Sequence, residues 1–195
     1  MKEIVINDKI KFYKKLRKYR SFWYRNKIFK TNIDDEEVKE IVEALNIKKR
    51  KERLAFIYDN CCKKVDKFNK DKNVCGFNNG VCRYHQELGC NYKNGCCKLC
   101  IYQGPTGCRT SNLSCKLFYC KTVTDKFEVM KYSDLKLLKL LTLRQRLIVL
   151  FEFFSTREQI LFDAYIGSVF FYAIRISYRL IYNFSKIKKL KVDIN

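Results

Sequence analysis

Nine of the chain's eleven cysteines, and its only histidine, His85, lie between Cys75 and Cys120. The segment reads CGFNNGVCRYHQELGCNYKNGCCKLCIYQGPTGCRTSNLSCKLFYC, and it also carries the single proline, Pro105, and six of the seven glycines. It is rich in soft ligands and turn formers and poor in large aliphatic side chains, so apolar burial cannot hold it together. Crosslinks must do so, as disulfides or as metal. The N-terminal stretch MKEIVINDKIKFYKKLRKYR has no apolar run of signal-peptide length and no small-residue cleavage site. A cytoplasmic location is therefore expected, where thiols stay reduced, and an odd number of cysteines fits full pairing poorly. Both considerations favour metal.

The potential ligands are Cys75, Cys82, His85, Cys90, Cys96, Cys97, Cys100, Cys108, Cys115 and Cys120. Tetrahedral zinc takes four Cys or His ligands, and short gaps let one turn present a pair, as in Cys82 with His85, Cys97 with Cys100, and Cys115 with Cys120. One division joins Cys75, Cys82, His85 and Cys90 in a first site and Cys97, Cys100, Cys115 and Cys120 in a second, with Cys96 and Cys108 as substitutes. Interleaved sites are equally allowed. The donor count suits two zinc ions. An iron–sulfur cluster is the alternative, but the C-x2-C-x2-C run and the Cys-Pro that often mark such clusters are absent, and thiolates with one imidazole are more typical of zinc. Cys61 and Cys62 end a helical pattern, and burial or incidental placement is expected for them instead.

From Gly89 to Cys120 the chain resembles the bacterial cysteine-rich zinc- or iron-chelating domains. The likeness lies in the Cys96–Cys97 pair, the spaced single cysteines, Cys108–Arg109 and the terminal aromatic–Cys at Tyr119–Cys120. That resemblance implies metal binding and no particular reaction.

Forty-one Lys and Arg face twenty Asp and Glu, a net charge of +21. A field of that sign attracts polyanions, either nucleic acid or an anionic membrane surface. Residues 7–30 read as a helix with Phe12, Leu16, Tyr19 and Trp23 on one face, packed on the core or stacked on bases or headgroups, amid many lysines and arginines. A second helix is expected over 33–58. Thr31 or Asn32 would cap it, Asp34 to Glu37 fill its first turn, and Val38, Ile41, Val42 and Leu45 form its buried stripe. The run Lys48–Arg53 (KKRKER) then falls in the later half of that helix, where the dipole suits cations, and reads as a solvated face. Further on, LKLLKLLTLRQRLIVLFEFF after Asp134 is dense enough in leucine to be core on several sides, and Ser155 with Glu158 forms a capping-box signature for a last helix. In that helix Asp163, Gly167, Arg175, Arg179 and Asn183 fall on one polar stripe. The uncharged interval from Asp163 to Arg175 is too short for a membrane span. The helix is expected in the core or in a homodimer interface, with a membrane-surface helix as a further reading.

The expected architecture is mainly α. Helical regions over 1–60 and 122–195 pack together around a central, loop-rich, metal-stapled cysteine module over 61–121. Neither a zinc-hydrolase HExxH, a deaminase pattern, a GxxxxGK[ST] loop nor a GxSxG elbow occurs. With His85 on metal, no second histidine exists to serve a cysteine nucleophile. The expectation is a non-catalytic zinc protein that binds nucleic acid through Lys14, Lys15, Arg17, Lys18, Arg20, Arg83, Lys98, Arg109 and Lys116. The alternatives are an iron–sulfur redox protein and a basic scaffold on an anionic membrane or a protein partner.

Overall fold

A computed structural model describes residues 2–78, 81–82, 103–104, 107–153 and 155–166, with isolated helical residues at 173–174, 177–178 and 181. The chain is mainly helical, as expected, but it opens with an element the helical periodicity conceals. Strand β1 (Glu3–Ile6), helix α1 (Lys9–Tyr19) and strand β2 (Ile28–Thr31) form a βαβ unit, with β1 and β2 parallel and Glu3 opposite Ile28. Parallel strands need a crossover, and α1 supplies it. Asp8 caps α1 by accepting from Lys11 N at 2.9 Å, and Phe12 and Leu16 are its buried face.

The continuous helix expected over 7–30 ends at Tyr19. A 3-10 turn over Phe22–Tyr24 follows, and Tyr19 packs edge-on against Tyr24 at 5.2 Å and Phe29 at 5.3 Å between ring centroids. The stripe of three aromatics and a leucine therefore splits: Phe12 and Leu16 are core, Tyr19 is half-buried, and Trp23 is exposed.

The helix expected over 33–58 is two helices, α2 (Glu36–Asn46) and α3 (Arg50–Lys72). The cap of α2 is Asp35, which accepts from Val38 N at 2.9 Å, rather than Thr31 or Asn32. Its buried stripe is the expected Val38, Ile41, Val42 and Leu45, with Ala44. At its far end the Asn46 amide meets the backbone of β2, donating to Phe29 O at 2.8 Å and accepting from Phe29 N at 2.9 Å. The side chain thus satisfies a strand position that would otherwise be an open edge.

Helix α3 is the axis of the molecule. The boundary expected after residue 60 falls inside it, and Cys61 and Cys62 are part of its buried face. It ends at Asn73 in the left-handed region, an orientation Asn tolerates, and Gly76 takes a positive φ just beyond. Two short hairpins follow, β3 (Phe77–Asn78) with β4 (Val81–Cys82) and β5 (Gln103–Gly104) with β6 (Gly107–Cys108). The chain then returns through α4 (Leu113–Lys116) and α5 (Lys121–Lys126).

The leucine-rich stretch is a 3-10 segment (Lys136–Leu140) followed by α6 (Leu143–Phe151), started by a capping box between Thr142 and Gln145. Leu135, Leu137, Leu138, Leu140 and Leu141 are buried. Helix α7 (Arg157–Ile166) begins one residue later than the sequence signature implies, with the Thr156 hydroxyl accepting from Gln159 N at 3.3 Å. Of the expected polar stripe Asp163 is buried, while Gly167, Arg175, Arg179 and Asn183 lie outside the described residues. Among the described residues no helix is long and apolar enough to cross a membrane.

One hydrophobic core unites the N- and C-terminal helices, from Phe12 and Phe29 through Ile41 and Ile57 to Leu138, Ile148 and Ile160. Two polar anchors fix the return of the chain onto α3. The buried Tyr58 hydroxyl donates to Ser111 O and accepts from Leu113 N, each at 3.0 Å. Asn112, fully buried, caps α4 by accepting from Cys115 N at 2.9 Å and donates to Glu152 O at 2.6 Å and Ser155 O at 3.1 Å. A two-bond ion pair from Arg157 to Asp59, 2.6 Å in each arm, ties α7 to the same helix.

Candidate anion-binding pocket

The division of the expected helix at residues 47–49 relocates its basic run. Lys48, Lys49, Arg50, Lys51 and Arg53 do not lie in the later half of an acidic-led helix but at the start of α3. A helix N-terminus carries the positive end of the dipole and favours carboxylates, not cations. The cap position is held by Lys49, which makes no side-chain capping hydrogen bond, and Glu52, the acid in the first turn, is engaged by Lys49 at 2.9 Å. Local sequence and local electrostatics therefore conflict at this helix end.

This helix end opens into a cavity of about 540 Å³ whose walls come from three parts of the chain. The end of α1 and the following turn give Arg17, Arg20 and Arg25. The α2–α3 link and first turns of α3 give Lys48, Arg50 and Arg53, and Leu140 to Gln145 close the far side. Among the described residues six cations line the cavity and no carboxylate does.

Four of these cations are held in place by something other than an acid. Lys48 Nζ donates to Lys27 O at 2.7 Å and Arg25 O at 3.2 Å, bracing the turn. Arg53 Nε donates to Ile47 O at 2.8 Å, Arg20 donates to Leu141 O, and the Arg50 guanidinium sits 5.3 Å from the Tyr165 ring centroid. Burial lowers the pKa of Arg20, and nearby Arg146 and Arg17 push it the same way; burial and Arg25 do the same to Arg53. Neither change neutralises a guanidinium near neutral pH, so the charges stand crowded. Behind them, Arg146 Nε is buried without a hydrogen-bond partner among the described residues.

The expected nucleic-acid contacts distribute unevenly. Lys14, Lys15, Arg17 and Lys18 are exposed along α1, and Arg17 and Arg20 reach the cavity. Arg109 is exposed and lies outside the cavity lining. Lys116 is buried and paired with Asp66, so its charge is spent inside the protein. Arg83 and Lys98 lie outside the described residues. Arg25, Lys48, Arg50 and Arg53 are pocket residues that the sequence pattern does not single out. The visible signal for Lys48, Arg50 and Arg53 is the KKRKER run, and for Arg25 it is the basic composition of residues 7–30.

The expected metal ligands divide in the same way. His85, Cys90, Cys96, Cys97 and Cys100 lie outside the described residues. Cys75 stands just past the end of α3, and Cys115 and Cys120 flank the chain's return to it; all three are half-buried. Tyr119, beside Cys120, donates to Asn69 Oδ1 of α3 at 2.7 Å. Burial pushes its phenol up to about 12, with Cys75 adding in the same direction, and the bond to Asn69 brings Tyr119 to the last turns of α3, the helix that Cys75 follows. The β3–β4 register sets Cys82 opposite Phe77, two residues past Cys75, and β5–β6 sets Cys108 opposite Gln103. Among the described residues no three Cys, His, Asp or Glu form a group able to hold a metal. Each expected four-ligand set has only two members there. Cys61 and Cys62 are buried free thiols, as expected, and burial pushes both up, Cys62 to about 12.

Comparison of the chain with family models, with curated proteins and with solved structures finds no match in any of the three.

Proposed function

We propose that this is a non-catalytic nucleic-acid-binding protein whose phosphate grip is the cavity at the N-terminal end of α3. The observation that carries the reading is the convergence of six cations on one cavity, with no carboxylate among its described lining residues, at a helix end whose dipole adds further positive potential. Such an arrangement is unfavourable by itself and is relieved by a phosphate, which helix N-termini and guanidinium forks bind directly. A polymer fits better than a small anion. The charge of +21 extends well beyond the cavity, and Lys14, Lys15 and Lys18 continue the basic surface along α1. The partner is therefore one that presents many phosphates in a row.

The cysteine segment takes a structural part in the same proposal. Two zinc ions, held by Cys75, Cys82, His85 and Cys90 and by Cys97, Cys100, Cys115 and Cys120, would crosslink it. The donor set suits zinc, and the hydrogen bond of Tyr119, next to Cys120, to Asn69 near the end of α3, just before Cys75, supports closure of the segment. Zinc with four protein ligands contributes folding energy and no open coordination position.

The test is the salt dependence of binding to a fluorescently labelled oligonucleotide. The double variant Arg17→Gln/Arg25→Gln removes two exposed cavity cations that make no side-chain hydrogen bond among the described residues. It is expected to weaken binding at least tenfold at low salt. The log–log salt slope should fall by about 0.7 for each phosphate of a single strand that is no longer neutralised. Affinity that ignores salt, or a double variant that binds like the wild type, would sink the proposal.

A further inference from the structure

Phe22, which lines the cavity, and its neighbour in the same turn, Trp23, are 78% and 82% exposed. Adjacent aromatics so exposed are unusual, because such side chains normally supply core area. The core did not lack aromatic partners here. The 3-10 turn sends Tyr24 inward onto Tyr19 and Phe29 and leaves its other two rings outside. Nor is the turn a loose loop. Tyr24 N donates to Ser21 O at 3.1 Å and Arg25 N to Phe22 O at 3.0 Å, and Lys48 clamps the following backbone at Arg25 and Lys27. Phe22 itself lines the cavity, between Arg20 and Arg25 in sequence. The molecule thus presents braced aromatic faces next to a phosphate grip.

Resting on the nucleic-acid reading above, we infer that the cavity and the Phe22–Tyr24 turn recognise an unpaired strand, with a base stacked on Phe22 or Trp23 while the adjoining phosphates enter among Arg17, Arg20, Arg25 and Arg50. A duplex keeps its base faces covered by neighbouring pairs and gains nothing from an aromatic platform. A single strand offers both a π-face and a flexible backbone. A membrane would use the same residue types differently. A plane of headgroups meets cations on a convex face, whereas Arg20 and Arg53 are half-buried within a concavity that such a plane does not enter.

Trp23 is the chain's only tryptophan, so emission excited at the red edge, where tyrosine does not absorb, reports on this turn alone. In the full-length protein at low salt, titration with a single strand about twelve nucleotides long, within the site size of one such platform, is expected to quench this emission. The blunt duplex of the same sequence should quench weakly at equal phosphate concentration. By anisotropy of labelled strands, Trp23→Ala should lose about tenfold or more in single-strand affinity, the range for one stacked base, with duplex affinity unchanged. Trp23→Phe should recover most of the loss, which a general disturbance of folding would not. Equal affinity of wild type and Trp23→Ala/Phe22→Ala for the single strand overturns the inference but leaves the phosphate grip standing, because binding itself persists. Failure of the wild type to bind either form overturns both. A blue-shifted emission with phosphatidylserine–phosphatidylcholine vesicles, without oligonucleotide binding, overturns both in favour of a membrane.

Discussion

Replacing Asn112 with alanine tests whether the return of the chain onto α3 is held by one buried amide. Asn112 is 0% exposed and makes three hydrogen bonds with its side chain, one from Cys115 N and two to the carbonyls of Glu152 and Ser155. Loss of the cap costs about 1 kcal/mol. Removing the amide donor from two buried carbonyls costs about 1–2 kcal/mol each, within the penalty for a buried polar group deprived of its partner. The sum is about 3–5 kcal/mol, a large share of the ~5–15 kcal/mol that stabilises a folded domain. Urea unfolding followed by far-UV circular dichroism measures it directly. Asn112→Asp separates the terms, since a carboxylate keeps the cap acceptor but faces two carbonyl oxygens without a donor, and it should be at least as destabilising as alanine. If both variants unfold within about 0.5 kcal/mol of the wild type, the range of an ordinary surface substitution, the amide is not the anchor described, and the segments 111–116 and 152–155 are positioned by packing alone.

Two more outcomes follow from the placement of the cysteines. Cys61 and Cys62 are buried and their thiols are raised, Cys62 to about 12, so near pH 8 they remain protonated. In the native protein iodoacetamide should leave both unmodified by mass-spectrometric mapping, while the unfolded chain reacts at both; native labelling at the unfolded rate refutes their burial. Elemental analysis of protein purified without oxygen should give about two zinc per chain, as four-coordinate sites would hold, and no visible colour. Iron with sulfide and absorbance near 400 nm would replace zinc with a cluster.

The fold is legible in the sequence where a pattern is long and locally consistent. The apolar stripe of α2 can be read residue by residue, because the propensity and burial signals agree there, whereas its acidic start is legible only as a cluster: Glu36 and Glu37 form the first turn and Asp35 is the cap. Strands β1 and β2 are hidden because four residues each is too short for alternation to stand out against the helical spacing of Phe12, Leu16 and Tyr19. The break between α2 and α3 is hidden for a different reason. No glycine or proline marks residues 47–49, and the break is made by distant partners instead. Asn46 is taken by Phe29, and Lys48 is taken by the carbonyls of Arg25 and Lys27. The cavity shares that fate, since its cations come from separated stretches that only the tertiary fold assembles. Trp23 illustrates the same limit: its spacing from Tyr19 is helical, but the helix has already ended.

The anchors on α3 also change how the cysteine-rich segment should be regarded. Tyr58 and Asn69 grip residues 111–113 and Tyr119 directly, so the core closes through contacts that lie outside the stretch from Cys82 to Cys108. The two anchors stand eleven residues apart on α3, about three helical turns, so the chain that follows the segment is laid along the helix rather than tied to it at one point. At 1.5 Å per residue the 23-residue α3 is roughly 35 Å long, with the cation-lined cavity at its start and Cys75, the first cysteine of the segment, just past its end.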